Sequence, residues 1–92
     1  MTSKIDTYIQ QRSADDPEFA VLAKQVGFNL DAAVAVRKLR NQKQLTQREF
    51  AELVGKPQST IARIETGQMN VSVKLLSEIA LAAGKKLSIQ FV

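Results

Sequence analysis

The sequence predicts an all-α fold, a five-helix bundle that ends in one short C-terminal β-strand. Apolar residues recur at helical spacing through most of the 92 residues. The four glycines divide the chain into helix-length segments, and capping residues precede several of these segments. Only the last residues alternate between apolar and polar side chains, and this alternation is the pattern of a strand.

The first part of the chain predicts helices separated by polar breaks. Ile5, Tyr8 and Ile9 recur at helical spacing, which indicates a short first helix that precedes the five of the bundle. The next helix begins at Asp16 and Pro17 and is expected to end at Gly27. A further helix starts at Asn29 or Asp31, and its buried stripe consists of Ala32, Ala35, Val36 and Leu39.

The middle of the chain carries stronger helix signals. Thr46 and Glu49 have the spacing of a capping box, and Leu45 and Phe50 have that of a hydrophobic staple. Gly55 ends this helix after about two turns. Another short helix runs from Gln58 to Thr66 and is followed by Gly67; the last helix is capped by Ser72 and ends at Gly84.

The C-terminal residues predict a strand that needs a partner. Leu87, Ile89 and Phe91 alternate with Ser88 and Gln90. A lone strand is not stable in water, so we expect two copies of the chain to pair these strands in a two-fold homodimer, with Leu87, Ile89 and Phe91 as dimerisation residues. The alternative is a tail that packs on its own bundle.

The composition excludes several classes of protein. The chain has no cysteine and no histidine, so it lacks disulfides, a thiol nucleophile and the commonest general base and metal ligand. No uninterrupted apolar run approaches the roughly 20 residues that cross a membrane, and the N-terminus does not resemble a secretion signal. We therefore expect a cytoplasmic protein that is not an enzyme, with no catalytic residue, no metal site and no cofactor.

The charge is divided unevenly along the chain. Residues 1–31 contain three basic and five acidic residues, a net charge of −2, whereas residues 32–92 contain ten basic and four acidic residues, a net charge of +6. A basic body suggests a polyanionic partner such as nucleic acid, and the acidic front suggests a different role.

The segment from Gln58 to Thr66 has an unusual outward face. With Ile61 and Ile64 placed inward at about 100° per residue, the residues that face outward are small or hydrogen-bonding: Ser59, Ala62, Arg63 and Thr66. These side-chain types suit contacts with base edges in the major groove of DNA. The alternative is an ordinary solvated face. Two short helices joined by a tight turn with glycine favour the DNA-binding interpretation.

The stretch LTQREFAELVGKPQSTIARIETG resembles the helix-turn-helix of the Cro and phage-repressor class, also called the XRE class. The resemblance covers roughly residues 36–83 and implies a lambda-repressor-like fold with Ala51 between the two motif helices and Gly55 at the turn. Two departures are Pro57, where a Ser or Thr cap is usual, and Val71, where a proline is common.

The resemblance also implies roles for individual residues. It places Gln58, Ser59 and Arg63 on base edges and makes Arg40 and Glu65 an internal ion pair. It places the following residues on the DNA backbone: Thr46, Gln47, Thr60 and Thr66.

The ends of the chain resemble those of HigA-type antitoxins, through the acidic DDPEF leader and the alternating KLSIQF tail. This resemblance implies a dimer that binds a palindromic operator, represses its own operon and neutralises a small basic toxin of the HigB or RelE kind. A stand-alone XRE-type regulator without a toxin is the alternative. The expected organisation is an acidic N-terminal helical segment (1–28), a helix-turn-helix DNA-binding domain (29–84) and a C-terminal dimerisation strand (85–92).

Overall fold

The structure is a computed structural model, and it describes residues 16–91. Within this range the chain forms four α-helices. They are α1 (Pro17–Gln42), α2 (Gln47–Val54), α3 (Gln58–Thr66) and α4 (Val73–Ala82). α1 packs mainly against α3, while α2 packs against both α3 and α4.

The hydrophobic core lies where the second half of α1 meets the three shorter helices. Its largest fully buried side chains are Phe50, Ile61, Ile64 and Ile79. Burial of each such side chain stabilises the fold by about 1.5–3 kcal/mol. The small residues Ala32, Ala51 and Ala83 belong to the same cluster.

The helix starts follow the predicted capping signals. The Thr46 hydroxyl accepts from the backbone N–H of Glu49 at 3.1 Å, and the Glu49 carboxylate accepts from the backbone N–H of Thr46 at 2.9 Å, so the capping box is confirmed. The Asp16 and Ser72 side chains cap α1 and α4. The backbone hydrogen bond from Thr46 is the main reason why the pKa of Glu49 lies below its usual value.

The predicted break at Gly27 is wrong, and so is the count of five helices, because residues 16–91 form four. α1 is one continuous helix of 26 residues. Asn29 does not start a helix but lies buried within this one, where its side-chain oxygen accepts from Gln25 Nε2 at 2.8 Å and from the backbone N–H of Val71 at 3.1 Å. Its amide nitrogen donates to Asn70 Oδ1 at 3.0 Å. The polar residue that resembled a cap therefore connects α1 to the loop before α4. The predicted helix around Ile5 lies outside the described residues.

The predicted C-terminal strand is also wrong for the part of the tail that the structure describes, because residues 16–91 contain no β-strand. After α4, the backbone N–H of Lys85 donates to the carbonyl of Ala80 at 2.8 Å, and the chain then runs without regular structure to residue 91. Leu87 is half-buried against the core, as in the alternative of a tail packed on its own bundle. Ile89 and Phe91 are exposed. Alternation alone does not form a strand, since its backbone groups need a neighbouring strand.

α1 is long and apolar enough to cross a membrane, judged by length and composition only. A search for uninterrupted apolar runs does not find this helix, because Lys24 and Asp31 interrupt its apolar residues. A core helix of a soluble protein can pass the same test, and the second half of α1 packs against the other helices.

Candidate nucleic-acid interface

A tight turn joins α2 to α3. Gly55 adopts a left-handed conformation with φ of 69°, which glycine adopts without the steric cost that a side chain brings. The backbone N–H of Lys56 donates to the carbonyl of Ala51 at 3.0 Å, and α3 begins two residues later. Ala51 is buried, as expected of the small residue between the two motif helices. The result is two short helices joined by one tight turn.

α3 has one face in the core and one face in solvent. Ile61 and Ile64 are fully buried, whereas Gln58, Ser59 and Arg63 are exposed. The structure therefore brings together, on one exposed face, the three residues that the sequence predicts to contact bases. Arg63 makes no ion pair with any other residue in 16–91.

The residues predicted to contact the DNA backbone have more varied environments. Thr46 is exposed at the start of α2, and Thr60 is half-buried. Thr66 is exposed, but its hydroxyl donates toward the carbonyls of Ala62 at 3.1 Å and Arg63 at 3.2 Å. Because its proton is used in this local hydrogen bond, the Thr66 hydroxyl can accept a hydrogen bond from another partner but cannot donate one.

Glu65 is a buried carboxylate at the end of α3, with only 2% of its surface exposed. Arg40 of α1 contacts it through two parallel bonds, from Nε to Oε2 at 2.8 Å and from Nη2 to Oε1 at 2.9 Å. This fork geometry is the strongest arrangement of an arginine and a carboxylate. Gln47 adds a longer bond, from Nε2 to Oε1 at 3.3 Å. The pair implied by the resemblance is thus in contact, and it connects three helices.

The charge state of Glu65 follows from these contacts. Burial alone would raise the pKa of Glu65, but the hydrogen bonds from Arg40 and Gln47 and the positive charges of Arg40 and Arg37 together hold the pKa below its usual value. Glu65 therefore stays ionised, and the bond to it raises the pKa of Arg40. A buried charge without such partners would be strongly destabilising.

Two further contacts were not predicted from the sequence. Arg37 Nη2 donates to the backbone carbonyl of Glu65. Its position three residues before Arg40 places both on one side of α1, so helical spacing was a usable signal. Lys56, in the turn, forms an ion pair with Glu78 of α4, which lowers the pKa of Glu78. No local pattern predicts this pair, because 22 residues separate its members.

The comparison with protein-family models agrees with this geometry. Residues 36–90 match the helix-turn-helix family, and this match covers more than half of the chain. The chain therefore belongs to the helix-turn-helix family, in its XRE-type form. No curated protein and no solved structure matches the chain significantly.

Family membership defines the class of protein. The helix-turn-helix family consists of DNA-binding transcription regulators, which are generally not enzymes and are soluble. Within residues 16–91 there is no group of three acidic side chains placed to hold a metal ion. The part of α1 before residue 36 lies outside the matched region.

Proposed function

We propose that the protein is a sequence-specific repressor that inserts α3 into the major groove of DNA. In this proposal Gln58, Ser59 and Arg63 contact base edges, with Arg63 bonded to a guanine and Gln58 to an adenine. The observation that carries the proposal is the contrast between the two faces of α3, because one is fixed in the core by Ile61 and Ile64 while the other is exposed and polar. A helix held in this way can present its side chains in one orientation.

The backbone of DNA is contacted, in this proposal, by the threonines and the glutamine around the motif. Gln47 has two N–H donors on one nitrogen, so it can hold Glu65 with one and a phosphate with the other. Thr66 can accept but not donate while its hydroxyl is bonded to the helix. The remaining contacts are assigned to Thr46 and Thr60. Neutralisation of phosphates by the basic body, with its net charge of +6, adds affinity that falls steeply with salt.

We further propose that a homodimer binds a palindromic operator and acts in the cytoplasm. Two copies of α3 would then enter successive major grooves, with half-sites about 34–36 Å apart. A second copy multiplies the base contacts and so raises the specificity of the site.

The finer proposal is that the protein is an antitoxin that represses its own operon and binds a small basic toxin of the HigB or RelE kind. The acidic charge of residues 1–31 supports it, since opposite charges favour docking on a basic protein. In the part of this segment that the structure describes, Asp16, Glu18 and Asp31 outnumber Lys24. A stand-alone regulator would have the same helix-turn-helix but no toxin.

Arg63→Ala tests the DNA-binding proposal. An operator is first selected from random DNA with the wild-type protein, and binding is then measured by fluorescence anisotropy. We expect Arg63→Ala to cost about 1–3 kcal/mol on the operator and to relax preference at one base position per half-site. Arg48→Ala is the matched control, because Arg48 is exposed on α2 and forms only an open ion pair with Glu52 at 3.8 Å. Equal losses for both variants on operator and random DNA would contradict the assignment of Arg63.

Capture of partners from the native host tests the antitoxin proposal. We expect a tagged protein to retain a stoichiometric small basic protein, identified by intact mass. If the tagged chain retains operator fragments of DNA but no protein partner, its function is that of the stand-alone regulator.

A further inference from the structure

Arg37 of α1 lies close to Gln47, the glutamine that the proposed function assigns to a DNA phosphate. Both side chains approach the same atom, Oε1 of the buried Glu65, with Gln47 Nε2 at 3.3 Å and Arg37 Nε at 3.9 Å. These two nitrogens are therefore at most about 7 Å apart. The fold thus brings an arginine of α1 and an amide side chain of α2 to one place beside the end of α3.

The two arginines around Glu65 differ in how many of their donors are used. All three nitrogens of the Arg40 guanidinium are bonded, Nε and Nη2 to the Glu65 carboxylate and Nη1 to the carbonyl of Leu45, and its side chain is only 18% exposed. The Arg37 side chain is 54% exposed. Among the described residues, its hydrogen bond is the one from Nη2 to the carbonyl of Glu65. Because an arginine has five N–H donors, Arg37 keeps most of them for a further acceptor.

The bond to α3 also limits where the free donors of Arg37 can lie. A long, mobile side chain loses conformational entropy when it is ordered by a ligand. Nη2 of Arg37 is already bonded to the last turn of α3, so part of this entropy is lost on folding rather than on binding. The guanidinium is therefore held near the helix that carries Arg63.

The charges around Glu65 favour an anion as the acceptor. Arg37 and Arg40 carry two positive charges, against the one negative charge of Glu65. The short contact of 2.8 Å pairs Arg40 with the carboxylate, whereas Arg37 Nε lies 3.9 Å from it. The charge in excess is thus that of the exposed Arg37, and a planar guanidinium with free donors suits a phosphate.

We infer that Arg37 and Gln47 hold one phosphate of the DNA backbone between them, so that Arg37 is a DNA contact supplied from outside the two motif helices. Each side chain would donate to a phosphate oxygen at about 2.9 Å, and donors at most about 7 Å apart can reach two oxygens of the same phosphate. The inference rests on the proposed function, because that proposal brings DNA to Gln47 and α3.

Salt-dependent DNA binding tests the inference. Fluorescence anisotropy measures the affinity for the selected operator and for random DNA between about 50 and 200 mM salt. We expect Arg37→Ala to weaken binding to both DNAs alike, by about tenfold or more. The slope of the logarithm of the association constant against the logarithm of salt concentration should fall by about one for each bound copy of the chain.

Lys38→Ala is the matched control for Arg37→Ala. It removes the same charge from the next residue of α1, which is also exposed and lies about 100° around the helix. The salt slope of this variant should stay close to that of the wild type. An Arg37→Ala variant that binds both DNAs like Lys38→Ala would overturn the inference.

A purely structural role of Arg37 would give a different result. If Arg37 only held the end of α3, Arg37→Ala would reduce the preference for operator over random DNA, because the base contacts of Arg63 would be displaced. A phosphate contact carries no sequence information, so its loss leaves that preference unchanged. Arg37→Lys keeps the charge and should keep most of the salt slope, with a partial loss of affinity because lysine lacks the planar fork. Circular dichroism verifies that each variant keeps its helices.

Combining Arg37→Ala with Gln47→Ala tests whether the two residues hold the same phosphate. The double variant should lose less affinity than the product of the two single losses, because residues that share a partner are coupled. A full product, or a loss from Arg37→Ala that is confined to the operator, would overturn the inference. In these cases the wild type still prefers the operator, and the proposed function stands. A wild type that binds no DNA would remove the proposed function and the inference together.

Discussion

The two halves of α1 both carry apolar side chains, but these side chains lie in opposite environments. The part of α1 from residue 29 onward is held by Asn29, Arg37 and Arg40, each of which bonds to a residue far away in the sequence. The first half carries several apolar side chains, Leu22 and Val26 among them, and most of its side chains are exposed. Hydrophobicity alone therefore does not determine which part of a helix becomes core. In this chain, the buried part is the one with polar contacts to other helices.

The largest expected effect on stability comes from removing a core side chain beside the second half of α1. Phe50→Ala should lower the free energy of unfolding by about 3–5 kcal/mol, because Phe50 is fully buried and its removal leaves a cavity. Leu22→Ala, on the open half, should change it by less than about 0.5 kcal/mol at protein concentrations where the chain is monomeric. Urea unfolding followed by circular dichroism measures both. Similar losses for the two variants would mean that the two halves are equally buried in solution.

The next effect concerns the carboxylate that connects three helices. Glu65→Ala should cost about 3 kcal/mol, because it removes a buried partner of Arg40 and leaves the guanidinium without its fork contact. Glu52→Ala is the control, since Glu52 is exposed and its ion pair with Arg48 is long. A loss from Glu65→Ala no greater than that from Glu52→Ala would refute the buried network.

The Glu65 carboxylate should also make the stability of the protein depend on pH. The pKa of Glu65 is lower in the folded protein than its ordinary value of 4.5, so the unfolded chain binds this proton at a higher pH than the folded one. The stabilisation is therefore fully present above pH 4.5 and is lost as the pH falls through the folded pKa. Subtracting the unfolding free energy of Glu65→Gln from that of the wild type between pH 3 and 7 isolates this contribution. A difference that stays constant as the pH falls would contradict the assignment.

Asn29→Ala should have an intermediate effect of about 1–3 kcal/mol. The substitution leaves the buried N–H of Val71 without its acceptor and removes the bond to Asn70. Hydrogen exchange of the Val71 amide should accelerate in this variant. Protection at wild-type level would show that another group accepts from Val71.

The smallest expected effects on stability come from replacing two glycines, and the two substitutions should have opposite signs. Gly27→Ala should stabilise the protein by about 1 kcal/mol, because Gly27 lies inside a helix and a Cβ there meets no atom within 4 Å. Gly55→Ala should instead destabilise by about 1–2 kcal/mol, since its φ of 69° is unfavourable for any residue with a side chain. Thermal unfolding separates the two signs. A destabilising Gly27→Ala would mean that a partner helix approaches α1 closely at that point.

The sequence predicted the helix-turn-helix well because its signals are local. The capping box of Thr46 and Glu49 and the turn at Gly55 lie within ten residues. The same local rules failed at Asn29, because its partner Val71 is 42 residues away and the distant bond overrides the apparent break. The prediction of a strand in the tail failed for a related reason, since the alternation that begins at Leu87 indicates a strand only when another strand is adjacent.

The absence of a break at Gly27 has a mechanical consequence. A continuous helix transmits motion along its axis, so α1 is a lever about 39 Å long. A sideways displacement of about 4 Å at Pro17 tilts such a lever by about 6°. Arg37 and Arg40 lie near its other end and hold the last turn of α3 through Glu65. A ligand that tilted α1 at Pro17 would therefore act, through Arg37, Arg40 and Glu65, on the helix that carries Arg63.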